Sequence, residues 1–210
     1  MKFIDAIINF FNPDHKEKIL KGLLDVKSNQ EMIKELTTLQ NEISVGYSTK
    51  VVAITSINKD DLASAFAKAF AEAYSYNHSK TLIIDANLYN PCLKGLLKDN
   101  SNSAKVDDQE LVFIDDNTSA LILNKEIYPS EVFKSGCIQK AIKENKDKYD
   151  HFIILVPNIK DHKEIVLLKD VITASILITQ KNITKKEKIF DAITFFKENN
   201  LPLAKTVLLK

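Results

Sequence analysis

Apolar residues along the chain fall into two alternating patterns: short continuous runs, and longer segments in which apolar positions recur at helical spacing. The clearest succession begins with a run at residues 51–54, continues through an alanine-rich helical pattern at residues 62–73, and ends with a run at residues 81–84 that is followed by Asp85. Continuous apolar runs are typical of parallel strands that are buried on both faces. The succession therefore predicts one right-handed βαβ unit.

The second half of the chain repeats this alternation. Apolar runs predict three further strands, at residues 152–156, 174–179 and 204–209. Amphipathic patterns predict the accompanying helices, at residues 130–146, 165–172 and 184–199. Strands that alternate with helices indicate an α/β domain with a doubly wound, mainly parallel sheet.

The middle of the chain leaves alternatives open. Two short runs, at residues 111–114 and 120–123, predict either a hairpin or a single strand formed by the second run. Residues 88–98 fit a short helix or a loop, and the polar stretch at residues 99–109 is expected to be a mobile, irregular loop.

The first 46 residues predict a helical arm that precedes the α/β domain of residues 47–210. Its first helix, at residues 1–11, carries Phe3, Ile7 and Phe11 on one apolar stripe. A helix that docks on its own domain or on a partner is expected there, because an interfacial membrane helix would favour a basic polar face. The pattern Ser28-x-x-Glu31 resembles a capping box and predicts the start of a third helix, which runs to about residue 43.

Composition excludes several classes of function. The chain has 29 basic and 28 acidic residues, so its charge balance does not support nucleic-acid binding. Cys92 and Cys137 form no CxxC motif, and no signal peptide is recognisable, so a cytoplasmic location with reduced thiols is expected. The four histidines have no metal-ligand spacing, so no metal site is predicted. No apolar run is long enough to span a bilayer.

The turn after the first strand has the layout of a phosphate site but lacks its chemistry. Such turns use glycines to bring the backbone close to phosphate, and usually a lysine to meet its charge. Residues 56–64 contain no glycine, and Asp60 and Asp61 stand where an anion would bind. We expect one of these carboxylates to cap the following helix.

Four sequence motifs resemble those of the cytoplasmic domain of bacterial tyrosine kinases of capsular and exopolysaccharide export. That family belongs to the MinD/ParA-like P-loop ATPases, and the resemblance runs from about residue 31 to the end. The stretches TSINKDDLASA, LIIDANLYNP and YDHFIILVPN match the family patterns TSxxPGEGKST, LLIDADLRxP and YDxVIIDTPP. Upstream, Glu31, Lys34 and Thr37 imperfectly match an ExxRxxR helix that mediates subunit contact.

The departures from the family patterns fall on residues that carry chemistry. Asp60 and Leu62 replace glycines, Ala63 replaces the phosphate lysine, and Leu155 replaces the magnesium-side aspartate. Asp85 is the only acidic catalytic candidate that is retained. The resemblance thus implies a degenerate nucleotide site with no cofactor, formed by Ser56, Lys59, Asp60, Asp61, Ala63, Ser64, Asp85, Asn87 and Leu155.

The leading hypothesis is a catalytically inactive binding or scaffold subunit. The family implies a membrane adaptor of the chain-length-regulator type or an active kinase paralogue as partner, with self-association, at the inner face of the plasma membrane. The residues expected to make contacts are Phe3, Ile7, Phe11, Glu31, Lys34 and Thr37. One alternative is a divergent ATPase or kinase that binds ATP and magnesium with the help of Lys59. Another is a MinD/ParA-like site-selection adaptor whose residues 1–11 touch membrane.

Overall fold

The computed structural model describes residues 23, 25–26, 29–43, 50–58, 60–97, 103–106, 109–123 and 128–209. The strands are β1 (Lys50–Ser56), β2 (Thr81–Asp85), β3 (Ser103–Val106), β4 (Gln109–Phe113), β5 (Thr118–Leu123), β6 (His151–Leu155), β7 (Ala174–Gln180) and β8 (Leu203–Leu209). They form one sheet in the order β3-β4-β5-β2-β6-β1-β7-β8. The six strands from β5 to β8 in this order pair in parallel, whereas β3 and β4 are antiparallel. The predicted mainly parallel sheet is confirmed.

Helices cover both faces of this sheet. They are α1 (Gln30–Ile43), α2 (Asp60–Tyr76), α3 (Leu93–Leu96), α4 (Pro129–Lys134), α5 (Cys137–Asn145) and α6 (Lys186–Glu198), with a 3-10 helix at Glu164–Leu168. Alternate residues of β1 belong to two separate cores: Val52 packs with residues of α1 and α2, and Val51 packs with residues of α4, α5 and α6. This alternation is what a doubly wound fold requires of a central strand. None of the described helices combines the length and apolar composition that crossing a membrane would need.

Helix α1 packs against α2 with its apolar face. Leu36 is fully buried in the shared core, and the side-chain amide of Gln40 donates to the Phe70 carbonyl oxygen at 2.6 Å. The helix is capped one residue later than predicted, because the Asn29 side-chain oxygen accepts a hydrogen bond from the Met32 amide at 3.1 Å. Asparagine is as strong an N-cap residue as serine. The first helix of the predicted arm lies outside the described residues.

The expectation of an irregular loop at residues 99–109 is wrong for its described part. Residues 103–106 form β3, which pairs antiparallel with β4, and Gln109 already belongs to β4. A polar sequence is tolerated there because β3 is the edge strand of the sheet. Of the two alternatives for the next two runs, the hairpin is the one observed, since β4 and β5 are antiparallel neighbours.

Two predicted helices differ from those observed. The pattern at residues 130–146 is divided into α4 and α5 at Gly136, whose φ of 75° is left-handed. Glycine adopts this conformation without the steric cost that other residues carry. The pattern at residues 165–172 forms only the short 3-10 helix, and the stretch at residues 88–98 contains the single turn α3.

Candidate functional site

Three neighbouring strands, β1, β6 and β2, end at the edge of the sheet where open α/β folds bind ligands. Strand β6 lies between β1 and β2, and Leu155 is in register with Asp85 on one side and with Ile54 on the other. Ser56 ends β1, two residues beyond Ile54. Ligands of open α/β sheets bind outside the carboxyl ends of such strands. The structure therefore brings Ser56, Asp85 and Leu155 together at one edge.

The carboxylate of Asp60 lies in the turn after β1, residues 56–64, which the sequence predicts to have the layout of a phosphate site. This turn is called the cradle below. Its two oxygens accept long hydrogen bonds, at 3.5 Å from the Ser56 hydroxyl and at 3.4 Å from the Asn158 side-chain amide. Only 8% of Asp60 is exposed to solvent. The neighbouring acid behaves differently, because one oxygen of Asp61 accepts from the Leu62 amide in the first turn of α2 at 3.0 Å. Asp61 therefore bonds only within the first turn of the helix in this contact, which is not an N-cap bond, whereas Asp60 binds Ser56 and Asn158.

The next positions of the turn contribute no positive charge. Ala63, at the position of the family's lysine, is completely buried. Ser64 is also buried, and its hydroxyl donates to the backbone carbonyl oxygen of Asp60 at 2.9 Å. A serine engaged in its own helix is less available to a metal ion. Lys59, which the alternative hypothesis invokes, lies outside the described residues.

Asp85 is a buried carboxyl group with an altered pKa. Burial raises this pKa from 3.8 to about 7; the amides of Asn87 and Leu93 oppose the shift, and the negative charge of Asp60 adds to it. One carboxylate oxygen accepts from the Asn87 amide at 3.1 Å. Within the described part of the chain, the other oxygen and the Asn87 side-chain nitrogen have no hydrogen-bond partner. Burial therefore moves the pKa of Asp85 close to neutral pH.

The residues of this edge do not fit a nucleotide with its magnesium ion. Leu155, at the position of the magnesium-side aspartate, presents a fully buried aliphatic side chain that cannot bind a metal. A pocket lined by Ser56 and Leu62 has a volume of about 10 Å³, which is room for about one water molecule. Among the described residues, no three or more His, Cys, Asp or Glu side chains are grouped to hold a metal ion.

Three of the residues predicted to make subunit contacts lie on α1. Glu31 and Lys34 are exposed on the face of α1 that points away from α2. Thr37 is partly buried, and its hydroxyl oxygen accepts from the Asn77 side-chain amide at 3.3 Å. Phe3, Ile7 and Phe11 lie outside the described residues.

Tyr89 replaces the arginine of the second family motif and joins two segments of the surface. Its ring stacks on His162 with a centroid distance of 3.7 Å, and its hydroxyl donates to Glu164 at 2.6 Å. The hydrogen bond to Glu164 is the main reason why the pKa of Tyr89 rises to about 12. The phenol therefore stays neutral and anchors the segment that follows β6.

Sequence reasoning missed two groups of residues near this edge. Asn158, which binds the carboxylate of Asp60, stood at the end of the third motif without an assigned role. Lys160 and Lys163 follow it and line a cleft together with Lys188. The spacing Lys-x-x-Lys, which begins five residues after the end of β6, was the available signal for Lys160 and Lys163.

No protein-family model matches the chain, and no curated protein matches it in sequence. Solved structures do match. The kinase domain of the Escherichia coli tyrosine kinase ETK is 14% identical, with a TM-score of 0.74, and the alignment covers 90% of this chain and 80% of that chain. The chimerical protein CapA2B2 is 16% identical, with a TM-score of 0.76 and coverage of 97% and 93%. A ParA family ATPase from Chlorobium tepidum is 19% identical, with a TM-score of 0.59 and coverage of 77% and 74%. The chain has the fold shared by bacterial tyrosine kinase domains and a ParA-type ATPase.

Proposed function

We propose that the chain is a catalytically inactive relative of the capsular and exopolysaccharide tyrosine kinases that acts as a binding or scaffold subunit. The observation that carries this proposal is the carboxylate of Asp60, which lies in the phosphate cradle and is held there by Ser56 and Asn158. The fold supports a relationship to these kinases, and the altered cradle supports the loss of their chemistry.

Electrostatics work against nucleotide binding at this edge. Two unit charges of the same sign at 4 Å repel by about 1 kcal/mol in water and by about 4 kcal/mol at the effective dielectric of a protein surface. A phosphate that entered the cradle would meet Asp60 without the lysine that Ala63 replaces. Magnesium, which normally offsets phosphate charge, would find Leu155 in place of a carboxylate.

Calorimetric titration of the full chain with ATP and with ADP, each in the presence of magnesium, tests the loss of nucleotide binding. We expect no saturable heat at nucleotide concentrations up to about 1 mM. A folded variant that combines Asp60→Gly, Leu62→Gly and Ala63→Lys is expected to gain measurable nucleotide binding. Asp61→Asn is the control, because it removes an acidic residue of the same turn but leaves Asp60 in the cradle. Micromolar binding by the unaltered chain would refute the proposal and favour the divergent ATPase, with Lys59 as the first residue to substitute.

The scaffold part of the proposal concerns the outer face of α1. A helix whose inner face is buried can use its exposed polar face for subunit contact, and Glu31 and Lys34 stand one turn apart on that face. The partners proposed by family resemblance are a membrane adaptor of the chain-length-regulator type, an active kinase paralogue or a second copy of this chain.

Sedimentation velocity over a range of protein concentrations tests the contact between copies. We expect reversible self-association that weakens with Lys34→Glu alone, because both copies then present two acidic side chains on this face and repel each other. Thr38→Ala, an exposed change on the same helix, is the matched control. Sedimentation as a monomer at every concentration would exclude self-contact through this face.

A further inference from the structure

A cleft of about 110 Å³ lies beside the degenerate turn and is lined by lysines from two elements. Lys160 and Lys163 come from the segment after β6, and Lys188 comes from the first turn of α6. The cleft also touches Ile57, which directly follows β1, so it belongs to the same edge of the sheet as the cradle. Its volume has room for several water molecules, and thus for a tetrahedral oxyanion.

The charges around the cleft are predominantly positive. Three lysines and one acidic residue, Asp191, line the cleft, and the Asp191 carboxylate lies 3.2 Å from the Lys188 nitrogen. Lys160 makes only a loose pair, at 3.8 Å, with Asp161. Exposed pairs of this kind are worth at most about 1 kcal/mol, so they compete weakly with a ligand that binds several ammonium groups at once.

The ammonium group of Lys163 is held in position by two contacts. It donates to the Ile159 carbonyl oxygen, and it lies 4.5 Å from the centre of the Phe195 ring. A lysine ammonium has three donors, so these contacts leave capacity for an anion. Burial lowers the pKa of Lys163, while Asp161 and Asp191 oppose the shift. Burial has therefore removed part of the hydration of this ammonium group, and a bound anion would stabilise its charge in place of the lost water.

We propose that this lysine cleft binds a phosphoryl group, either as free phosphate or as the phosphate of a small monoester. The site is separate from the cradle that Asp60 fills, and it uses lysine ammonium groups in place of backbone amides. Phosphate is favoured because its several oxygens can bind more than one ammonium group through charge-assisted hydrogen bonds. The inference does not depend on whether the chain is an inactive kinase relative.

Amide NMR spectra of the full chain, recorded during titration with inorganic phosphate at constant ionic strength, test this site. We expect saturable shifts centred on Ile57, Lys160, Lys163 and Lys188, with a dissociation constant on the order of 1 mM. The variant Lys163→Met with Lys188→Met keeps the aliphatic stems and should weaken binding at least about tenfold, as expected when charge-assisted contacts are lost. The matched control, Lys140→Gln with Lys143→Gln, removes the same charge from α5 and should bind like the unaltered chain.

Phenyl phosphate distinguishes the two sources of the phosphoryl group. Tighter binding of phenyl phosphate supports a monoester ligand, and binding of inorganic phosphate alone supports the free anion. The absence of saturable shifts with both compounds would overturn the proposal. Equal shifts in the folded Lys163→Met, Lys188→Met variant would overturn it as well, and Lys160→Met provides a second, more exposed variant for the same comparison.

Discussion

The side chain of Asp60 changes what its neighbours can do. Its charge contributes to the raised pKa of Asp85, although burial is the larger cause. It also engages Ser56 and Asn158, which are polar groups that would otherwise face the cradle. One acidic residue in place of a glycine therefore alters both the electrostatics and the hydrogen bonding of this edge.

The variant Asp60→Asn tests this coupling between carboxyl groups. Removing the charge should lower the pKa of Asp85 below its value of about 7, because the Coulombic repulsion disappears while the burial remains. The change is measured by carbon NMR of the Asp85 carboxyl group during a pH titration. Asp61→Asn, one residue away, should leave that pKa unchanged, and an unchanged pKa in Asp60→Asn would show that the two groups are not coupled.

The sequence predicts which residues of the site depart from the family patterns, but not how each side chain is oriented. Asp60 and Asp61 were equivalent candidates for the helix cap, since both fall in its first turn. Their roles differ because the side-chain amide of Asn158, 98 residues further along the chain, donates to the carboxylate of Asp60. Local patterns contain no information about a partner so distant, and the grouping of Lys160 and Lys163 with the distant Lys188 could not be predicted for the same reason.

At the level of elements, Gly136 shows how one residue can divide a helix without changing its amphipathic pattern. Helices α4 and α5 both direct apolar residues to the same core, so the helical spacing continues across the break. Periodicity alone therefore predicted a single helix. Edge strand β3 was missed for a different reason, because its pairing with β4 outweighs the weak strand preference of its polar sequence.

Alanine substitutions at two glycines distinguish the effect of backbone strain from the effect of a steric clash. No atom lies within 4 Å of a Cβ built at either Gly136 or Gly95, so neither change creates a clash. Gly136→Ala should still destabilise the protein by about 1–2 kcal/mol, because its φ is positive. Gly95→Ala, within helix α3, should be neutral or stabilise by up to about 1 kcal/mol. Urea unfolding measures both, and equal effects would contradict this assignment of strain.

For the whole molecule, two buried groups give stability opposite dependences on pH. Because the pKa of Asp85 is raised in the folded protein, Asp85 adds to the free energy of unfolding at low pH. This contribution is fully present below its unfolded pKa of 3.8 and is lost as pH rises through about 7. The pKa of His151 is lowered from 6.5 to about 4, mainly by burial, with Lys50 adding to the shift and Asp150 opposing it. Its contribution is present above pH 6.5 and is lost as pH falls through about 4. Between these limits the two effects partly cancel.

Free energies of unfolding in urea, measured from about pH 4 to pH 8, test this cancellation. The unaltered protein should show a shallow profile. At pH 8, Asp85→Asn should raise the free energy of unfolding by up to about 4 kcal/mol, which corresponds to the shift of about three pH units in the pKa of Asp85. The free energy of unfolding of this variant should then fall as the pH is lowered. His151→Phe, which retains an aromatic ring against Tyr74, should show the reverse slope. Asp147→Asn is the exposed control, and parallel profiles for all variants would contradict the assignment.

The carboxylate in the cradle also has a consequence for regulation. In a nucleotide switch, the start of the helix after the first strand responds to a ligand that comes and goes, so its conformation follows the concentration of that ligand. Asp60 is covalently attached to the same helix, and its effective concentration in the cradle is constant. If the cradle no longer binds nucleotide, this subunit should present the same surface to its partners at high and at low cellular ATP concentration. Any regulation of their interaction over time must then come from those partners.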